Sequence, residues 1–205
     1  MSMPRGMKIV CPDCKNEDNF TIWHTINVDV NPETRDKVKS GKLFEHTCSK
    51  CKKTFSVEYR FLYHDCTNRF MIWYFPRHEY DINKEILEIN NLDFINKYNE
   101  TLRIVDDKRR LIEKISIFED RLNDLAIEMI KNIIINQLED KSIEVFYNKV
   151  EDDMIHFWLS NNKGAGIPYS TYNDILNDYF FEERKDCIII DGNNVYKYVK
   201  NKNES

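Results

Sequence analysis

At 205 residues, with 41% of them hydrophobic and 32% charged, the chain is long enough to bury a core and has the composition of a globular protein, not a disordered one. Its formal net charge of -5 argues against broad binding to phosphate backbones, which needs clustered Lys and Arg. No apolar run reaches the roughly 20 residues of a membrane span and no apolar leader follows the first basic residue, so a cytoplasmic protein without membrane contact is expected.

In chain order, the apolar triplet Lys8-Ile9-Val10 leads into Cys11-Pro-Asp-Cys14, and Phe20 to Asn27 alternates at period 2 as a strand does. Asn31, Pro32 and Gly41 frame a helix of about two turns, with Asn31 as N-cap, Pro32 at the first helical position and Gly41 just past the end. Strand-like Leu43-Phe44 runs into Cys48-Ser-Lys-Cys51, and Thr54 to His64 alternates again. Asp65 to Asn68 turns this stretch into Phe70-Met-Ile-Trp-Tyr-Phe75, a hairpin ended by Pro76.

Beyond Pro76 the pattern becomes helical, first across Asn83 to Tyr98 and then from Asp106 to Leu138. Leu111, Ile115, Phe118, Leu122, Leu125 and Met129 line one helical face, which serves an intramolecular core or, as the alternative, a dimer seam; oligomeric state stays open. Asp and Asn within Glu119 to Asp124 favour caps over helix interiors, so two helices are predicted rather than one. Strands follow at 143 to 150 and 154 to 160, a flexible turn at Gly164-Ala-Gly166, a helix from Ser170 to Glu183 and a last strand from Cys187 to Ile190. The expected class is α+β: a zinc-ribbon-like antiparallel β domain with a short helix and a helical extension over residues 1–138, then a small C-terminal α+β module over residues 139–205.

Six cysteines in a reducing compartment, four of them in Cys-x-x-Cys spacing, read as metal ligands. Two such turns, Cys11/Cys14 and Cys48/Cys51, complete a tetrahedral shell for one structural Zn2+ ion, leaving no open position for substrate. Lys8, Lys15, Lys50, Lys52 and Lys53 flank the cysteines and offset the excess negative charge of four thiolates. His24 and His46 lie near the knuckles as reserve ligands, which four thiols make unnecessary. The competing reading is thiol redox chemistry at Cys11, since Cys-Pro-x-Cys after a strand also resembles a glutaredoxin site; that chemistry needs a helix N-terminus behind the first thiol. Cys66 and Cys187 stand outside the paired motifs.

Cys11-Pro-x-Cys14, Trp23, Asn27 before Pro32, Gly41-x-Leu43-Phe44, Cys48-x-x-Cys51, Tyr63-His64-Asp65 and Phe70-Met-Ile-Trp73 together resemble the CpXC domain, a bacterial and archaeal family named for two Cys-Pro-x-Cys motifs. The resemblance extends over about the first 130 residues, through Leu111 to Phe118 and Leu122 to Glu128, and implies a metal-binding domain without an established activity. One departure is visible: Ser49 stands where the second motif carries proline, which bears on the rigidity of that knuckle and keeps both thiols.

His64-Asp65 presents the residue types of an oriented general base, although neighbours on a strand point to opposite faces; a turn-forming Asp and a structural His are the simpler reading. No phosphate-cradling glycine loop, nucleophile elbow or His-Glu-x-x-His pattern occurs, so no catalytic residue is assigned. The leading functional expectation is a zinc-stabilised module for a protein partner. The alternatives are a nucleic-acid-binding ribbon that uses Lys50, Lys52, Lys53 and the aromatics Tyr59 to Phe75, and a thiol-disulfide redox protein.

Overall fold

The computed structural model describes residues 2–77, 79–92, 100–182 and 188–202. Strands β1 (Pro4–Val10) and β2 (Glu17–Trp23) form an antiparallel ribbon, and β3 (Thr25–Asn27) leaves it for the central sheet. Helix α1 (Glu33–Lys39) follows, then a second ribbon of β4 (Glu45–Thr47) and β5 (Thr54–Ser56). The central sheet is completed by β6 (Phe61–Asp65), β7 (Phe70–Tyr74), helix α2 (Ile82–Asn90) and β8 (Thr101–Val105). Helices α3 (Lys108–Glu119) and α4 (Asp124–Gln137) lead to a meander of β9 (Val145–Glu151), β10 (Met154–Leu159) and β11 (Gly164–Pro168). Helix α5 (Tyr169–Asp178) and the paired strands β12 (Tyr179–Phe181) and β13 (Val199–Asn201) close the described chain.

The central sheet is mixed, in the order β3-β6-β7-β8, which corrects the expectation of a purely antiparallel domain. Only β6 and β7 are joined by a tight turn and pair antiparallel; β3 joins β6, and β7 joins β8, through long crossovers that return the chain in the same direction. The crossover into β8 carries α2, so the helical middle contains a strand. Period-2 alternation sorts the side chains cleanly. Phe61, Tyr63, Phe70, Ile72 and Tyr74 face α1 and α3 with Val38, Phe44, Leu111 and Ile115, while Leu62, Met71, Phe75, Leu102 and Ile104 face α2 with Ile89. The stripe from Leu111 to Met129 is consumed inside the chain. Leu111 and Ile115 enter the sheet core, and Leu122, Leu125 and Met129 enter a second core with Tyr147, Ile155, Phe157 and Tyr172.

Two helices replace one because Arg121 takes a left-handed φ of +57° and Asn123 caps α4, its side chain accepting from the Leu125 and Ala126 N–H groups. The two helices are those the sequence predicts, whereas local chemistry overrode the sequence reading in several places. Residues 20–27 break at His24, whose N–H and carbonyl are taken by Met3 and Leu62 as the chain passes from ribbon to sheet. Asn31 does not cap α1 with its side chain; its carbonyl accepts from the Thr34 N–H and hydroxyl. Leu43 and Phe44 form a 3-10 turn after Gly41, which sits at φ +77° as the helix stop requires. Residues 54–64 split into β5 and β6.

Gly164-Ala-Gly166 is a strand, and the turn falls earlier, at Asn162 with φ +64°. A Cβ on Gly166 would come within 3.2 Å of Met154 Cε, a contact that the end of the methionine side chain would have to yield. The C-terminal helix stops at Asp178, where the aromatic run Tyr179-Phe180-Phe181 pairs with β13. Of the predicted last strand, Ile188 bridges Arg103 in parallel on the β8 edge, and Cys187 lies outside the described residues. The end of the helix predicted to Tyr98 lies outside them as well. Among the described residues, no helix is long and apolar enough to cross a membrane.

Both α3 and α4 bury charged side chains, Glu113 and Lys114 on the first and Asp124 and Glu128 on the second. Arg103 grips Asp124 through two hydrogen bonds of 2.7 and 2.8 Å, and Lys114 bridges Asp124 and Glu128 at 3.1 Å each. Lys131 then joins Glu128 to Glu113, whose Oε1 accepts the Tyr147 N–H at 2.7 Å. The chain of charges thus ties β8, α3 and α4 to β9 with each carboxylate met by a cation, as a buried network demands.

Candidate metal centre

Each ribbon carries one Cys-x-x-Cys turn at its tip: Cys11 follows the last residue of β1, and Cys48 follows the last residue of β4. The two turns repeat the same backbone plan. The Cys11 N–H donates to Asn16 O and the Lys15 N–H to Cys11 O; the Cys48 N–H donates to Lys53 O and the Lys52 N–H to Cys48 O. Lys15 and Lys52 occupy matching left-handed positions, φ +59° and +63°, which bend each chain back and leave N–H groups facing sulfur. Cys11 is followed by strand β2, so the helix N-terminus that a glutaredoxin-type thiol needs is not behind it.

The four sulfurs converge. Cys11 Sγ lies 3.7 Å from Cys51 Sγ and Cys14 Sγ 3.6 Å from Cys48 Sγ, and all four lie within 4.8 Å of one another without a disulfide. Thiolates placed about 2.3 Å from one ion at tetrahedral angles would be about 3.8 Å apart, so the cluster has the span of a metal shell. Cys11 and Cys48 are buried, with 1% and 0% of their surface exposed, which shields the cluster from water. The Cys14 N–H draws the Cys11 thiol down to about 7. The Lys53 N–H acts likewise on Cys51, but burial and the sulfurs of Cys14, Cys48 and Cys11 outweigh it and push that thiol up to about 12. At this spacing the four cysteines can hold a metal ion.

The supporting residues explain why Ser49 is tolerated. Unlike proline, Ser49 has an N–H; Asp18 accepts it at 2.9 Å and accepts the Ser49 hydroxyl as well. Asp18 also takes His46 Nε2 at 3.0 Å and Asn16 Nδ2 at 3.0 Å, so one carboxylate on β2 of the first ribbon pins the knuckle of the second. His46 is thereby engaged by Asp18 and is no ligand of the sulfur cluster. Lys15 and Lys52 turn their ammonium groups onto the knuckle carbonyls of Pro12 and Ser49 at 2.9 and 2.7 Å, and Lys53 pairs with Asp13 at 2.6 Å. Asp18 was invisible in the sequence because its partner lies 31 residues away. The missing proline was the only signal, in that it exposed a donor needing an acceptor. Asp18→Ala is expected to weaken metal affinity by about 10–100-fold, the usual cost of removing an orienting outer partner. Competition with a chromophoric chelator measures it.

The His64-Asp65 pair does not act as one unit. Asp65 is buried in the hairpin turn, accepting from the Asn68 N–H and side-chain amide at 2.8 Å each and from Arg35 at 3.3 Å. His64 points the other way, to Glu100 and Cys66.

No curated protein and no solved structure matches the chain. The model of the family described as CpXC protein matches residues 9–131, from the residues that lead into Cys11 to the middle of α4, with both knuckles inside the match. Since that match covers more than half of the sequence, the chain belongs to the CpXC family.

Proposed function

We propose that Cys11, Cys14, Cys48 and Cys51 hold one structural Zn2+ as two ribbon-tip knuckles, and that the zinc-held unit is a non-enzymatic module for a protein partner. The observation that carries the metal reading is the convergence of four sulfurs from two turns of the same backbone plan. Soft thiolates in a closed set of four suit Zn2+ and leave no position for a substrate.

The partner reading rests on the first ribbon. Strand β1 pairs with β2 along one edge, no strand pairs with its other edge among the described residues, and its Met7 and Val10 side chains are exposed. An extended segment of another protein adds to such an edge by main-chain hydrogen bonds. The nucleic-acid alternative has less behind it. Tyr59, Phe61, Tyr63, Phe70, Tyr74 and Phe75 are buried, so these rings cannot stack on bases, and of Lys50, Lys52 and Lys53 the last two are engaged by Ser49 and Asp13.

Two measurements test the reading together. A photo-crosslinker at Met7 is expected to trap a protein in the metal-loaded state and to lose it after chelation, and single-stranded oligonucleotides are expected not to bind at low salt. Tight, salt-dependent oligonucleotide binding that disappears in Lys52→Glu would replace this reading with the nucleic-acid one.

A further inference from the structure

A second set of ligand atoms meets at the end of the central sheet. His64 is the penultimate residue of β6, Cys66 opens the turn to β7, and Glu100 immediately precedes β8. His64 Nε2 lies 2.9 Å from Glu100 Oε2 and 3.3 Å from Cys66 Sγ, and the three ligand atoms lie within 4.8 Å of one another. One ring nitrogen carries at most one proton, so it cannot donate to both neighbours. Glu100 Oε2 is moreover buried without a hydrogen-bond partner, even with the imidazole nitrogen at that distance. A buried carboxylate oxygen without a hydrogen bond, an imidazole nitrogen and a thiol gathered within 4.8 Å of one another offer three ligand atoms to one cation. We propose that His64, Cys66 and Glu100 form a second divalent-metal site of three protein ligands, distinct from the four-cysteine cluster and open at its fourth position.

The surroundings hold these groups in place. Asn27, opposite His64 in the parallel β3-β6 pairing, donates its side-chain amide to Cys66 Sγ at 3.3 Å. Asp29 accepts the Cys66 N–H at 2.8 Å and the Thr67 hydroxyl, fixing the turn that presents the thiol. His64 and Glu100 side chains are only 15% and 10% exposed, whereas Cys66 is exposed, so the remaining coordination position faces solvent and takes water or a small anionic ligand. One nitrogen, one sulfur and one oxygen make a borderline donor set that suits Zn2+, and three protein ligands leave its fourth position open. Around a zinc ion the nitrogen–oxygen and nitrogen–sulfur edges would be about 3.4 and 3.6 Å, against the 2.9 and 3.3 Å found, so ion binding moves these side chains.

Titration of the metal-free full chain with Zn2+ against a chromophoric chelator tests the site. His64→Ala and Glu100→Gln are each expected to bind one equivalent fewer than the unmodified chain, with circular dichroism unchanged. Because the readout is this difference, it holds whether or not the four-cysteine cluster fills, and Glu100→Gln, the isosteric change, decides the matter if His64→Ala does not fold. The same number of equivalents in Glu100→Gln as in the unmodified chain would overturn the proposal.

Discussion

Replacing Lys114 by Met is expected to cost about 3–5 kcal/mol of folding stability, because it leaves three buried carboxylates with two cations. The Lys114 ammonium is 3% exposed and is shared between Asp124 and Glu128, each also 3% exposed. Without it, Arg103 still holds Asp124 and Lys131 still holds Glu128, but the balanced network of three cations and three carboxylates acquires a net buried charge. A loss of that size corresponds to a fall in Tm of roughly 6–20 °C for a chain of this length. Urea unfolding supplies the free energy directly, and adding Glu128→Gln to Lys114→Met should return part of it, since the second change removes the stranded charge. A cost below about 1 kcal/mol would mean that water reaches the network.

The same network sets an acid limit. Burial alone would raise the Asp124 carboxyl, but Arg103 and Lys114 more than offset it and hold that group well below the usual carboxylate range. A depressed native value means that this contribution is complete above the unfolded value, about 3.9, and is lost as pH falls below it towards the native one. Lys114→Met should therefore move acid unfolding to higher pH.

Removing the metal, by chelation or by Cys48→Ser, is expected to release both ribbons while leaving the central sheet folded. Two-stranded hairpins are marginal on their own, and β1-β2 and β4-β5 are both two-stranded. The sheet β3-β6-β7-β8 instead has apolar packing on both faces. Amide exchange should lose protection at residues 4–23 and 45–56 and keep it in β6, β7 and β8. Unchanged protection in both ribbons after metal loss would show that the metal does not clasp them. Ser49 should be among the first amides to exchange, since its N–H is held by Asp18 across the gap between the ribbons.

The parts of this molecule that were legible in the sequence are those whose signal is local. Cys-x-x-Cys is a four-residue pattern, and the apolar run Phe70 to Phe75 ended by Pro76 and the Asp and Asn cluster at 119–124 that contains the Asn123 cap are equally short-range. The buried charges were not legible. Arg103, Glu113, Lys114, Asp124 and Glu128 look like surface residues until their partners, 10 to 34 residues distant, are seen. Glu100 is in the same position, since only folding sets it against His64. The mixed pairing of the central sheet was hidden for a related reason, because strand direction is decided by crossovers and not by the strands. The helical stripe was legible as buried, but the identical periodicity of a core face and a dimer seam meant that only the packing of Leu111 and Leu125 into separate cores assigned it.

Differential alkylation of freshly isolated, reduced protein, mapped peptide by peptide, tests the central claim most directly. If one ion is shared by Cys11, Cys14, Cys48 and Cys51, these four thiols stay unmodified until a chelator is added and then react together, with one equivalent of zinc released. Rapid alkylation of any of the four before chelation, with no metal released, would contradict it.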